Sequence, residues 1–265
     1  MSNDSTKKMI LVALGVCLVC SILVSTAAVS LQGKQQANKR LDKYKNILMA
    51  GDLYDDGVDI EKVYNEKIKS ELVDLVNGVI VPKDDYNEML NTESFDIKTM
   101  AASTEYGRAI PSDKDIADIK RMPNYMAIYE VVENGQIEKY ILPMYGKGLW
   151  STMYGFMALA KDLKTIKGFT FYDHGETPGL GGEVDNPKWK ALWKNKLAFD
   201  DDWNEQIEVI KGKVDKGSPK AKYQVDGLSG STLTTRGVDN LVKFWLSESG
   251  YVPFINKLRE EGINE

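Results

Sequence analysis

Residues 126–144 read Met-Ala-Ile-Tyr-Glu-Val-Val-Glu, then Asn134-Gly135, then Gln-Ile-Glu-Lys-Tyr-Ile-Leu-Pro-Met. Two runs rich in β-branched and aromatic residues flank an Asn-Gly pair. That pair adopts positive φ at both central positions of a type I′ turn, whose twist matches paired strands. The stretch predicts a β-hairpin, 126–133 against 136–144. Outward from it, 156–159 and 166–172 read as two further strands and 207–211 as a short last one.

Helical patterns lie on both sides. Upstream, 34–55 is charged and continues an apolar run as a stalk. Asp59 caps a predicted second helix with Ile60, Val63, Tyr64, Ile68, Leu72, Leu75 and Val76 on one face. Residues 79–112 read as a polar, irregular surface stretch, and Ile116 and Ile119 predict a short helix ending at Pro123. Downstream, Asn186-Pro187 starts a short helix with Trp189 and Trp193. Val238, Leu241, Val242 and Trp245 recur at helical spacing before Gly250. The fold class that follows is α+β, a largely antiparallel sheet flanked by helices. The expected division is a tail over 1–8, a span over 9–31, a stalk and helical segment over 32–125, and the main domain over 126–265.

The chain of 265 residues is 43% hydrophobic and 28% charged, a globular composition. Its net charge of -5, with no basic stripe foreseen, argues against nucleic acid as a partner. Both cysteines, Cys17 and Cys20, fall in the first apolar run, so no disulfide framework or thiolate metal site is expected in the rest. One histidine, His174, argues against a Ser/His/Asp set or a multi-histidine zinc site. No metal is expected.

Residues 9–31 contain no charge and suffice to cross a hydrocarbon core of about 30 Å as a helix. The run exceeds the h-region of a cleaved signal peptide, so it reads as an uncleaved anchor. Lysines lie on both sides, and a short tail before one large domain favours the tail inside and the domain outside.

Three stretches carry chemistry. Tyr145-Gly-Lys-Gly-Leu-Trp-Ser151 follows a strand. Its glycines let backbone pass close to a ligand, and Trp150 offers a flat surface; the plainer reading is a turn with a buried Trp. Gly175-Glu-Thr-Pro-Gly-Leu-Gly-Gly-Glu183 is a tight loop, neither a dinucleotide fingerprint nor a P-loop. Its open N–H groups, with Glu176 and Thr177, can meet a polar ligand edge while Leu180 packs on a face; the alternative is a surface turn. Glu176 and Glu183 also read as a possible acid/base pair, without further support. The third stretch is Asp226-Gly-Leu-Ser-Gly-Ser-Thr-Leu-Thr234, at or just before a helix N-terminus. Backbone N–H groups there favour an anion, so a hydroxyl is well set to carry a phosphate. Equally, Ser229, Thr232 or Thr234 can be a plain N-cap.

The string Asp226, Gly227, Ser229, Gly230, Ser231, Thr232 resembles the flavinylation motif of proteins that carry FMN in phosphoester linkage to the last Thr. That family usually has Ala where Ser231 stands; Ser is small enough to fit. All three stretches, in order behind one span, together with Leu142-Pro143 and Asn186-Pro187, resemble the NqrC family of subunits of the bacterial Na+-translocating NADH:quinone reductase over essentially the whole chain. The resemblance implies an FMN-binding domain over 126–265 with covalent FMN on Thr232, installed from FAD by a flavin transferase. It implies Trp150, Glu176, Thr177, Gly179, Leu180 and Gly181 near the cofactor. It further implies single-electron relay in a complex with subunits A, B, D, E and F, at the bacterial inner membrane, with the domain periplasmic. The alternatives are the G-type FMN subunit of an Rnf electron-transport complex and an anchored binding module without redox work. A free-standing flavin reductase would need a nicotinamide site, which the sequence does not offer.

Overall fold

A computed structural model describes residues 6–262; residues 1–5 of the expected tail lie outside them. Two compact units result, 1–43 and 44–265. The first is helix throughout its described part. Helix α1 (Thr6–Ala50) is long and apolar enough near its start to cross a membrane, and it continues as the charged stalk without a break. Its last residues, 44–50, belong to the second unit.

The second unit begins with α2 (Ile60–Lys67), and the Asp59 carboxylate accepts the Lys62 N–H as its cap. The expected helix stops there. Ile68 is already extended, and β1 (Ile68–Asp74) is a strand. The Ile68, Leu72 and Leu75 spacing that suggested a helix gives way to seven residues of pairing with β5, a distant partner. So part of 32–125 is built into the same sheet as the hairpin. Residues 79–112 are not merely a surface stretch either. They hold β2 (Val79–Ile80), α3 (Ile97–Ala102) and β3 (Gly107–Ala109), and bury Val81, Leu90, Phe95 and Met100. The helix expected at 116–119 is a turn. Asp118 and Lys120 have φ of 52° and 64°, outside the right-handed helical region, and the Asp115 carboxylate accepts the N–H groups of Ile119 and Lys120. Strand β4 (Arg121–Pro123) follows.

The hairpin forms as expected, β5 (Tyr125–Glu133) with β6 (Gln136–Lys147), and both Asn134 and Gly135 take positive φ. β7 (Thr152–Ala160) and β8 (Ile166–Asp173) complete an antiparallel sheet ordered β2-β1-β5-β6-β7-β8. Then come α4 (Pro187–Lys190), the short parallel pair β9 (Glu208–Val209) and β10 (Gln224–Val225), α5 (Thr232–Trp245) and α6 (Val252–Glu260). Helix α6 has no counterpart in the sequence reading; Phe254, Ile255 and Leu258 bury its inner face.

Both faces of the sheet are covered, which explains the near-continuous apolar run of β5. One face carries the main core, including Leu142, Met157, Leu241, Trp245 and Phe254. Against the other pack Ile47, Ala50 and Tyr64 with Tyr129, Ile141 and Phe156. Helix α5 lies close on β6: a Cβ at Gly237 would strike the Lys147 carbonyl, and the Trp245 indole N–H donates to the Tyr145 carbonyl at 2.7 Å. This contact fixes where the helix begins.

Candidate flavin site

Strands β6, β7 and β8 bring two loops to one end of the sheet. Lys147 pairs with Thr152 across the 148–151 loop, which the Gly148 N–H closes on the Ser151 carbonyl at 2.8 Å. Next door, Tyr154 pairs with Asp173, so the loop after β8 leaves from the same edge. Close packing of α5 on β6 sets the helix N-terminus beside both. The three stretches singled out in sequence therefore meet.

Glu176 joins them. It is buried, 5% exposed, and its two oxygens accept four protein donors. Oε1 takes the N–H of Trp150 at 2.9 Å and of Ser151 at 3.3 Å; Oε2 takes the N–H of Leu149 at 3.2 Å and the Thr234 hydroxyl at 2.6 Å. Burial pushes this carboxyl up, and the Thr234 hydroxyl with the three amides more than reverses that, holding it below the usual carboxylate range. A Cβ on Gly181 would lie 2.5 Å from the Thr234 hydroxyl oxygen and 2.8 Å from Glu176 Oε2, so only glycine fits there. The Ser151 hydroxyl accepts the Gly175 N–H at 2.6 Å, a second tie between the two loops. His174 supports the clamp from behind. Its Nδ1 accepts the Glu176 N–H at 3.2 Å, which assigns the ring proton to Nε2, and Nε2 donates to Asp185 at 2.7 Å. Glu183 has its own partner, accepting the Asn186 side-chain amide at 2.7 Å, and is no part of the clamp.

The third stretch is held differently. Asp226 Oδ1 accepts the Val214 N–H at 2.8 Å, its carbonyl accepts the Trp189 indole N–H at 2.8 Å, and the Gly227 N–H donates to the Gly212 carbonyl at 2.8 Å. Gly230 turns the chain with φ of 73°. The Thr235 hydroxyl accepts the Leu228 N–H at 2.9 Å. Buried Ser231 is the N-cap of α5 but makes no side-chain cap bond. None of Ser229, Thr232 and Thr234 caps the helix: Ser229 is exposed before it, Thr232 is its first residue and exposed, and Thr234 is committed to Glu176. The first intrahelical bond runs from the Thr235 N–H to the Ser231 carbonyl. Among the described residues no acceptor takes the amides of the first turn before it, which stand at the positive end of the helix dipole.

Between these elements lies a cleft of about 370 Å³, within the range of small-molecule sites. Of the sequence-predicted residues, Trp150, Glu176, Thr177, Leu180, Gly181, Gly230, Ser231 and Thr232 line it. Asp226, Gly227, Ser229 and Gly179 do not. Leu149, Leu233 and Thr234 line it without having been singled out for a cofactor. Trp150 is 67% exposed and Leu233 53%, with Leu149 and Leu180 also exposed, so Trp150 is not the buried anchor of the plainer reading.

The FMN-binding domain family matches residues 148–247, which span all three stretches. The NqrC subunit of the Na+-translocating NADH-quinone reductase of Pseudomonas aeruginosa is 44% identical over 262 residues, 98% of this chain and 98% of that protein. The corresponding subunit of Yersinia pestis is 43% identical over 266 residues, 99% of this chain and 96% of that protein. This chain belongs to the NqrC family of the Na+-translocating NADH-quinone reductases. The crystal structure of NqrC from Shewanella oneidensis superposes with a TM-score of 0.76 at 35% identity, covering 84% of this chain and 99% of that one. That of the same subunit from Parabacteroides distasonis gives 0.64 at 31% identity, covering 85% and 96%. The α+β fold is thus shared with solved structures of the NqrC family.

The residues present fit FMN: free amides and a helix dipole for a phosphate, an exposed hydroxyl beside them, and an apolar rim for a ring.

Proposed function

We propose that Thr232 carries FMN through a phosphoester and that the chain relays single electrons within a Na+-translocating NADH-quinone reductase complex. The observation that carries this reading is the exposed Thr232 hydroxyl at the uncapped start of α5, on the cleft that the Glu176 clamp assembles from three stretches. When bound, FMN supplies the one-electron chemistry. The first-turn amides of α5 hold the phosphate, and the helix dipole stabilises its charge. Trp150, Leu180, Leu149 and Leu233 offer apolar contact to the ring. Thr177, Gly179 and Gly181 shape the loop toward its polar edge, and Glu176 keeps the 149–151 backbone in place beneath. Asp226, Gly227, Ser229, Gly230 and Ser231 hold the turn that presents Thr232.

Attachment draws on FAD and a flavin transferase: the Thr232 hydroxyl gives up its proton as its oxygen forms the new bond to the FMN phosphorus, the pyrophosphate bond breaks, and AMP leaves with the bridging oxygen. A covalent link suits a domain outside the cytoplasm, where a dissociated cofactor is lost. The reading includes a periplasmic domain at the inner membrane, with subunits A, B, D, E and F as partners. Intact mass and in-gel flavin fluorescence of the chain co-expressed with its transferase test the site. One added FMN on the wild type and none on Thr232→Ala is the expected result. An unmodified wild type, in cells that flavinylate a reference substrate, refutes it.

A further inference from the structure

Residues 211–222 carry five lysines, Lys211, Lys213, Lys216, Lys220 and Lys222, against one aspartate, Asp215. All five are exposed, in a chain whose net charge is -5. None pairs with a carboxylate among the described residues. Asp215 is spent on its own turn, accepting the Gly217 N–H at 2.9 Å. Lys213, Lys216 and Lys222 border a cavity of about 570 Å³ that Asp226 also lines. Uncompensated like charges gathered on one loop work against the compact state, so the fold gives no reason for them.

The loop is fastened to the flavinylation motif. The Val214 N–H donates to Asp226 Oδ1 and the Gly212 carbonyl accepts from Gly227, each at 2.8 Å. From Asp226 to Thr232 the chain can span at most about 20 Å. The loop that carries the lysines is therefore anchored on the first two residues of the stretch that ends at Thr232. From Gly181 to Thr232 no large hydrophobic side chain is exposed, and the exposed apolar ones at the Thr232 cleft, Leu149, Trp150, Leu180 and Leu233, belong to the ring in the reading above, whereas a permanent interface needs an apolar centre of its own. A wet, charged face without one suits a transient partner steered by charge.

We propose that this lysine face docks an acidic surface of the enzyme that transfers the flavin, and so aligns Thr232 with it. The proposal rests on the reading that Thr232 is flavinylated. It gives Asp226 a second task, coupling the docking loop to the turn that presents the hydroxyl.

The test uses the full chain in nanodiscs of phosphatidylcholine, with purified transferase and FAD. Initial rates of flavin incorporation give kcat and KM across a range of ionic strength. Changing all five lysines to Gln is expected to raise KM about tenfold or more, leave kcat within about twofold, and remove most of the salt dependence. Changing five exposed lysines elsewhere, Lys39, Lys62, Lys83, Lys114 and Lys161, to Gln matches the change in net charge and leaves KM unchanged. Unaltered far-UV circular dichroism keeps the comparison between folded proteins. Flavinylation of the five-lysine variant with wild-type KM and salt dependence overturns the proposal alone. So does a salt effect seen only in discs containing phosphatidylglycerol, which assigns the lysines to lipid. Absence of flavin on the wild type overturns the Thr232 reading and this proposal together.

Discussion

Thr234→Val isolates the clamp. Valine keeps the shape of threonine and removes only the hydroxyl, the shortest of four donors to Glu176, at 2.6 Å between two buried residues. A hydrogen bond to a charged group contributes about 1.5–3 kcal/mol, and the carboxylate left with three amides keeps part of its solvation. A loss of about 2 kcal/mol is expected, which for a domain of this size lowers Tm by about 4–8 °C. The loss depends on pH in a defined sense. Glu176 has its carboxyl held below the usual range in the folded state, so its ionised form binds better folded than unfolded. That stability is present above the unfolded pKa near 4.5 and is lost as pH falls through the folded one. Removing the hydroxyl weakens the depression, so the gap between wild type and variant is constant near neutrality and narrows below about pH 4.5. Thermal unfolding of both proteins in detergent, followed by tryptophan fluorescence over pH 3–8, measures it. A Tm change under about 1 °C at pH 7, or a gap that widens on acidification, refutes the clamp as an ionised carboxylate held by four donors.

Two further outcomes follow from the same structure. Burial pushes Glu205 up from 4.5 to about 7, with Lys243 opposing and Asp239 and Glu208 adding to the rise, and its buried Oε1 has no hydrogen-bond partner among the described residues. The folded state therefore binds the extra proton between these values, and stability falls as pH rises through that window. The full rise converts to about 3 kcal/mol, which solvent screening reduces to about 1–2 kcal/mol. Glu205→Gln is expected to flatten the decline and raise Tm at pH 8, and an unchanged Tm–pH profile counts against it. Trp150→Ala removes a side chain 67% exposed, so stability is expected to stay within about 0.5 kcal/mol. Flavin fluorescence of the loaded protein is expected to rise as a stacking ring is lost, and an unaltered emission spectrum would place Trp150 away from the ring.

Local signals in the sequence carried far. Asn134-Gly135 set the hairpin because positive φ at both positions is a property of those two residues. The start of α5 and the cap at Asp59 were equally local. What the sequence hid depends on partners far along the chain. Ile68, Leu72 and Leu75 fit a helix as well as a strand, and only pairing with β5 some sixty residues on decides for the strand. The two glycine-rich stretches and the Ser/Thr stretch were each visible, but not their junction. The Glu176–Thr234 bond spans 58 positions, and no periodicity reports a contact of that kind. One signal existed unread: Thr234 sits two residues beyond Thr232, at an angle that turns its side chain away from its neighbour on a helix, toward the buried side.

Burial divides the site into two sets of residues with different reasons to be there. Glu176, Gly181, Ser231 and Thr234 are buried, and for Glu176, Gly181 and Thr234 the tight contacts of the clamp make each answerable to the fold. Trp150, Leu180, Thr232 and Leu233 are exposed, and three of these four are apolar side chains left in water beside a cleft. Burying such side chains would contribute roughly 1.5–3 kcal/mol each, so exposure forgoes stability that the fold has the means to gain. The fold cannot be the reason for them. A ring that seats on that rim would recover the forgone contact, and a phosphate on Thr232 would meet amides that the Ser231 side chain leaves uncapped. The clamp stabilises the frame, the rim gains only when something is bound, and the two can be separated by experiment: Thr234→Val should lower Tm in the unloaded protein, whereas Trp150→Ala should lower it only once flavin is attached.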